Sequence, residues 1–177
     1  EHGGQIYFET CAKEFVIENN QIAKVVCDNG KEFETSVVVL ALGHSARDTF
    51  ETLHTLNVPM EAKNFAVGFR VEHPQEMIND ALYGKQEQAM PAAPYKVTSN
   101  FPNGRGVYSF CMCPGGYVVN SSSEEEMLVV NGMSYSGRNS SAANSAIIIS
   151  VDEKDFGGKD ALAGMRYQQA LERKAYQ

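Results

Sequence analysis

No apolar run in this chain is longer than Val37–Leu42, six residues, where a membrane-spanning helix needs about 20. A membrane partner is therefore not expected. Nor is there a stretch rich in Lys or Arg. The 22 acidic side chains against 15 basic ones leave a formal charge of −7, a balance that argues against nucleic acid as a partner. Cysteine is scarce. Cys11, Cys27, Cys111 and Cys113 are too few for a disulfide scaffold in 177 residues and read as reduced thiols of a cytoplasmic protein. Also missing is a Gly-x-Gly-x-x-Gly turn, which would offer amides and a helix dipole to a pyrophosphate. The opening Glu1-His2-Gly3-Gly4 has no basic or apolar region of a signal peptide. The charged helical pattern Arg166–Gln177 stops without a Gly, Asn or Pro signal. Both ends look cut, and a piece of a larger protein is expected.

What is present suits one globular domain or slightly more, with 43% hydrophobic and 21% charged residues. Residues 5–42 have strand character with hairpin punctuation. Gln5–Thr10 alternates, Phe15-Val16-Ile17 and Ile22–Cys27 follow, and Lys31–Thr35 returns antiparallel. Asn19-Asn20 is read as a turn, and Asp28-Asn29-Gly30 as a type I′ hairpin turn, because Asn-Gly accepts the positive φ angles that type requires. Ser36–Gly43 differs: it is apolar at almost every position, which predicts a strand covered on both faces, as in a parallel sheet. A helix follows, with Ser45 as cap, Asp48 in its first turn, Phe50, Leu53 and Leu56 at helical spacing, and Pro59 ending it. Further on, strands are expected at Phe65–Val71, Gly106–Cys111, Tyr117–Asn120, Leu128–Asn131 and Ala146–Val151. Pro74 opens a short helix through Ile78, and Asp160–Tyr176 is a helix with Leu162, Met165, Ala170 and Leu171 on one face. Ala89–Pro102 carries few periodic signals, and Ser121–Glu126 reads as a solvated turn.

Four constellations carry candidate chemistry. In Val37–His44 a strand runs into Gly43, whose missing Cβ lets a nucleotide approach the backbone; alternatively the glycine only permits the turn. Cys111-Met112-Cys113-Pro114-Gly115-Gly116 places two thiols on one strand face by alternation. Its Pro-Gly-Gly suits close passage against a planar ligand, or an ordinary hairpin turn. Metal binding is not expected, since no second close Cys/His pair exists and His44, His54 and His73 are scattered. In Gly68–Pro74, Arg70 can fork onto a carboxylate or phosphate, or pair weakly with Glu72 at the surface. Asn131–Asn144 is dense in short hydrogen-bonding side chains, which line polar pockets and also make up loops.

The succession VVLALGHSARDTFETL, NFAVGFRVEHPQEMIND, VYSFCMCPGGYVVN and VVNGMSYSGRNSSAANSAI resembles the uncharacterised bacterial FAD-dependent dehydrogenases, an NAD(FAD)-utilising family of large two-domain flavoproteins. The resemblance covers nearly the whole chain. It implies an α+β fold: an antiparallel meander plus one buried strand from an FAD domain, over residues 1–58, then a mixed β-rich substrate-side or cap domain over residues 59–177. It places Ala41, Leu42, Gly43, His44 and Ser45 beside FAD, and Pro114, Gly115 and Gly116 towards the isoalloxazine. No catalytic residue is assigned by it; His44, Arg70 and Cys113 are the candidates.

The expected function is therefore part of an FAD-dependent oxidoreductase acting on an unknown small molecule, with NAD(P)H a candidate reductant. Lacking the pyrophosphate-binding turn, the fragment is expected to hold little or no FAD alone. Its natural partner would be the remainder of its own FAD domain, and exposed apolar edges invite a homodimer. The alternatives are a non-catalytic ligand- or partner-binding domain, and thiol chemistry at Cys111 and Cys113, which would need a positive neighbour.

Overall fold

A computed structural model describes residues 3–85 and 90–177; Glu1, His2 and Ala89, named above, lie outside them. The chain is α+β and divides into two compact units, Glu1–Met60 and Glu61–Gln177.

The first unit is built on an antiparallel meander, β1 (Ala12–Glu18), β2 (Gln21–Cys27) and β3 (Glu32–Glu34), paired in that order. Asn19 and Asn20 both take positive φ, 50° and 66°. That left-handed pair is the geometry a tight hairpin needs to match strand twist. The turn expected to be type I′ is built otherwise. Only Gly30 has positive φ there, at 79°, its N–H donates to the Cys27 carbonyl at 3.0 Å, and the Cys27 N–H donates to Lys31. This is a three-residue loop closed by a glycine bulge.

Two strands expected in this unit do not form. Gln5–Thr10 is irregular, with Ile6 and Phe8 exposed. Residues 36–43 are irregular as well, and Val37 and Val39 are 72% and 86% exposed rather than buried. The cause is the lack of neighbours: β3 pairs only with β2, and among the described residues no strand lies alongside 36–43 to supply hydrogen bonds and cover both faces.

Helix α1 (Arg47–Thr55) follows. Its N-cap is Ala46, with no side-chain cap, so Ser45 does not take that role. Its end is set before Pro59. Asn57, at φ 57°, donates to the His54 carbonyl and Val58 to that of Leu53, the two bonds of a Schellman stop. Phe15, Cys27 and Leu53 form the unit's buried apolar centre.

The second unit holds a four-stranded antiparallel sheet in the order β4 (Phe65–Pro74), β9 (Ala142–Val151), β6 (Gly106–Cys113), β5 (Thr98–Asn100), and a separate hairpin of β7 (Gly116–Asn120) and β8 (Val130–Ser134). Strand β5 was not legible in the sequence, β8 starts two residues later than expected, and β9 begins at Ala142 rather than Ala146. Pro74 caps α2 (Gln75–Tyr83), which runs past Ile78 to Gly84 at φ 68°. Helix α3 (Ala163–Tyr176) buries Leu162 and Ala163, while Ala170 and Leu171 are exposed. Its true inner face meets Phe65, which stacks on Phe156 at 5.6 Å and meets Tyr167 edge-on at 6.3 Å. Beside them Arg105 donates to Asp155 at 2.8 Å, and the Asp152 N–H donates to the other carboxylate oxygen at 2.9 Å. The amide, then the guanidinium, hold the Asp155 carboxyl below its ordinary pKa.

Candidate functional site

Three of the four constellations meet at one place in the second unit, where the end of β4 faces β9 and the β7–β8 hairpin. Residues at alternate positions of β4 share a face, and two of them reach that hairpin. Glu72 accepts a hydrogen bond from the Val118 N–H at 2.8 Å. Arg70 donates from Nη1 to Asn144 Oδ1 at 2.5 Å and to the Cys111 carbonyl at 3.0 Å, and from Nη2 to Asn131 Oδ1 at 3.5 Å. Cys113 Sγ lies 3.9 Å from Nη1. The anticipated surface pairing of Arg70 with Glu72 is replaced by these two separate anchors.

The Cys-x-Cys segment is shaped by a β-bulge. Phe110 pairs with Ala146 and Cys113 with Asn144, so β6 carries one residue more than β9 across the same interval. Cys111 absorbs it at φ 46°, in the left-handed region that a non-glycine residue enters only at a cost of about 1–3 kcal/mol. This interrupts the alternation that was to put both thiols on one face. Cys111 is exposed and presents its carbonyl to Arg70, while Cys113 is half-buried.

Pro114, Gly115 and Gly116 are buried, and the chain itself occupies the space that the two glycines leave. A Cβ on Gly115 would stand 2.0 Å from the Arg138 carbonyl oxygen, and one on Gly116 2.4 Å from that of Met133. The Gly115 N–H donates to Gln75 Oε1 at 2.8 Å, and Ser134 Oγ donates to the Pro114 carbonyl at 2.8 Å. Gln75, 5% exposed, also donates to the Ala93 carbonyl at 3.0 Å. The glycines thus allow close packing of backbone on backbone at Arg138 and Met133. Arg138, on the exposed β8–β9 connection that packs on Gly115, also has positive φ, 47°.

Residues 41–45 belong to the first unit. Ala41, Leu42, Gly43 and His44 are exposed and Ser45 is half-buried. Gly43 has φ 74° with nothing within 4 Å of where a Cβ would stand, so its backbone is open to a ligand, and its conformation favours glycine. Of the candidate residues, then, Arg70, Cys113 and Pro114–Gly116 are brought together, and Ala41–Ser45 form a separate exposed stretch. Gln75 and Asn144 were missed as members of the site. Gln75 follows Pro74 in a quoted block, and Asn144 closes the Asn-rich segment, but only strand pairing reveals their partners. Among the described residues no group of three His, Cys, Asp or Glu could hold a metal ion, and no helix is long and apolar enough to cross a membrane. The surface hollows along α2 and beside Phe156 contain none of the residues around Arg70.

Residues 64–177, which include every strand and helix of the second unit, match the family described as FAD-dependent protein, C-terminal domain-like. The chain belongs to this family. It is also similar, at 45% identity over 98% of its length, to an uncharacterised protein of Clostridium beijerinckii. The chain spans about a third of that relative, 33% of its length. The FAD-dependent family's C-terminal domain is thus represented here by the sheet, the bulged β6 and the Arg70 cluster.

Proposed function

We propose that this chain is one portion of an FAD-dependent oxidoreductase, of dehydrogenase type, in which the second unit forms the substrate side and residues 41–45 approach the cofactor. The observation that carries this reading is the match of residues 64–177 to the C-terminal domain of FAD-dependent proteins. Bound FAD would supply the two-electron chemistry, and the protein supplies position and electrostatics. The residues of the first unit fit such a group at Gly43, where the open Cα face and left-handed backbone admit close approach. His44 and Ser45 are the adjoining side chains. In the second unit, Pro114–Gly116 pack closely against the β8–β9 connection, and Arg70 with Cys113 joins them on the side turned to the substrate and the isoalloxazine. The substrate is a small molecule, and NAD(P)H is the candidate reductant.

The test is purification of the full-length polypeptide that contains this chain. The expected result is a yellow protein releasing about one FAD per chain on denaturation, bleached anaerobically by NADH or NADPH. A full-length protein that stays colourless after incubation with FAD overturns the reading. Bleaching by neither nucleotide overturns the choice of reductant alone.

A further inference from the structure

Arg70 is half-buried, yet among the described residues its partners are a backbone carbonyl, two amide oxygens and a thiol sulfur. Among the described residues no carboxylate is within ion-pair distance of it, although Arg105 has Asp155 and Arg166 has Asp160. The nearest acid on the same strand face, Glu72, is taken by the Val118 N–H. A cation withdrawn from water without a counter-charge is costly, and such groups are ordinarily paired.

A second observation lies beside it. Asn144 is 0% exposed; its Oδ1 is held by Arg70, and its Nδ2 is sealed from solvent with no acceptor. On the open side, exposed Asn131 has its Oδ1 engaged by its neighbour Gly132 N–H at 2.8 Å and, more weakly, by Arg70 Nη2, which leaves its amide NH2 as a donor. Nη1 already carries the two short bonds of Arg70, so the Nη2 edge is the one left to serve a ligand. The groups left on the open side, the Nη2 edge of Arg70 and the amide of Asn131, are both donors, and what they lack is an acceptor carrying negative charge.

We infer that Arg70 and exposed Asn131 form an anion subsite for a carboxylate group of a small molecule, with buried Asn144 holding the guanidinium in place behind them. A guanidinium edge matches the two oxygens of a planar carboxylate, and exposed Asn131 leaves it reachable from solvent. The inference rests on the proposed function only in identifying that molecule with the substrate; the subsite itself needs no flavin.

The test uses the 177-residue chain, labelled with nitrogen-15 and titrated with sodium benzoate. Sodium phosphate forms a second arm and sodium chloride at matched ionic strength the control. Benzoate is expected to shift the Arg70 Nε–H and the side-chain amides of Asn131 and Asn144 saturably, where chloride does not. Arg70→Lys keeps the charge but loses the fork, and should bind about tenfold more weakly. Should that variant not fold, Asn131→Asp, at an exposed position, places a carboxylate beside the guanidinium and should abolish the benzoate response with the fold intact. Saturation by phosphate alone overturns the carboxylate assignment. Absence of saturation by either anion, or an undiminished benzoate response in the folded variants, overturns the subsite. None of these outcomes depends on whether the full-length protein holds FAD, so the two readings fail separately.

Discussion

A Cβ built on Gly132 would stand 2.2 Å from Nη1 of Arg70: the backbone of β8 is seated on the guanidinium with no room for a side chain between them. The same Cβ would meet Asn144 Oδ1 at 2.2 Å and Cys113 Sγ at 2.8 Å, all atoms already tied to one another. Gly132→Ala must therefore push the hairpin off β4 or break the Arg70–Asn144 bond. The expected loss is about 1–3 kcal/mol, the usual cost of overpacking. It would be read as a lower urea midpoint with an unchanged slope. An unchanged midpoint would mean that the hairpin is free to move away from Arg70.

Gln75 is the brace behind the bulge. Its Oε1 accepts the Gly115 N–H, and its Nε2 donates to the Ala93 carbonyl and to Asn79 Oδ1. Replacing it with leucine keeps the bulk but strands a buried N–H and a buried C=O. Gln75→Leu is expected to cost roughly 2–4 kcal/mol, because an unsatisfied buried group carries its full desolvation penalty. Hydrogen exchange at the Gly115 amide should accelerate more than exchange along β2 of the first unit. Equal acceleration of both would contradict a local brace.

Acid should act through Asp155. Its folded pKa lies below the ordinary 3.8 because the Asp152 N–H and the Arg105 guanidinium favour the charged form. The stabilisation is thus complete above the unfolded value and is lost as pH falls through it towards the lower folded value. Stability of Asp155→Asn should fall less between pH 5 and 3 than that of the parent, a window set by the ordinary carboxylate range. Lys24 has the opposite sign. The hydrogen bond and charge of Glu32 raise its pKa above 10.5, so its contribution persists at neutral pH and disappears only in strong alkali.

What was legible in the sequence was mostly local. The Asn19-Asn20 turn, β1, β2, β4 and α1 follow from side-chain alternation, helical spacing and the tolerance of asparagine for left-handed backbone. Where the outcome depends on distant partners, the pattern alone misleads. Val37–Leu42 has the composition of a buried strand but, among the described residues, no strand beside it. The bulge at Cys111 cancels an alternation that holds on either side of it. Arg70, Cys113 and Gly115 stand out as residues, whereas the bond from Arg70 to Asn144 spans 74 positions and exists only through β4–β9 register. The two asparagine turns show the same division. Positive φ was expected at both turns; Asn20 takes it, at 66°, and Asn29 does not. Asn20→Gly should therefore stabilise the chain by up to about 1 kcal/mol by relieving a left-handed non-glycine residue. Asn29→Gly should bring no such gain, and thermal melts of the two variants separate the cases.

The exposed stretch in the first unit carries the last expectation. Val37, Val39, Leu40 and Leu42 are 72%, 86%, 45% and 37% exposed, a consecutive apolar surface that a monomer in water does not conceal. Its backbone is irregular, without strand partners among the described residues, so a second chain can supply both hydrogen bonds and apolar cover, as at an unprotected sheet edge. Self-association that grows with concentration is therefore expected for the isolated 177-residue chain in sedimentation velocity. Val39→Lys should weaken it, because a charge in the middle of the stretch would have to be desolvated on pairing. Since Val39 is almost fully exposed, the substitution should leave the stability of β1–β3 unchanged. If the parent sediments as a monomer at all concentrations, the stretch folds onto its own unit in solution. If Val39→Lys associates as strongly as the parent, the contact lies elsewhere on the chain.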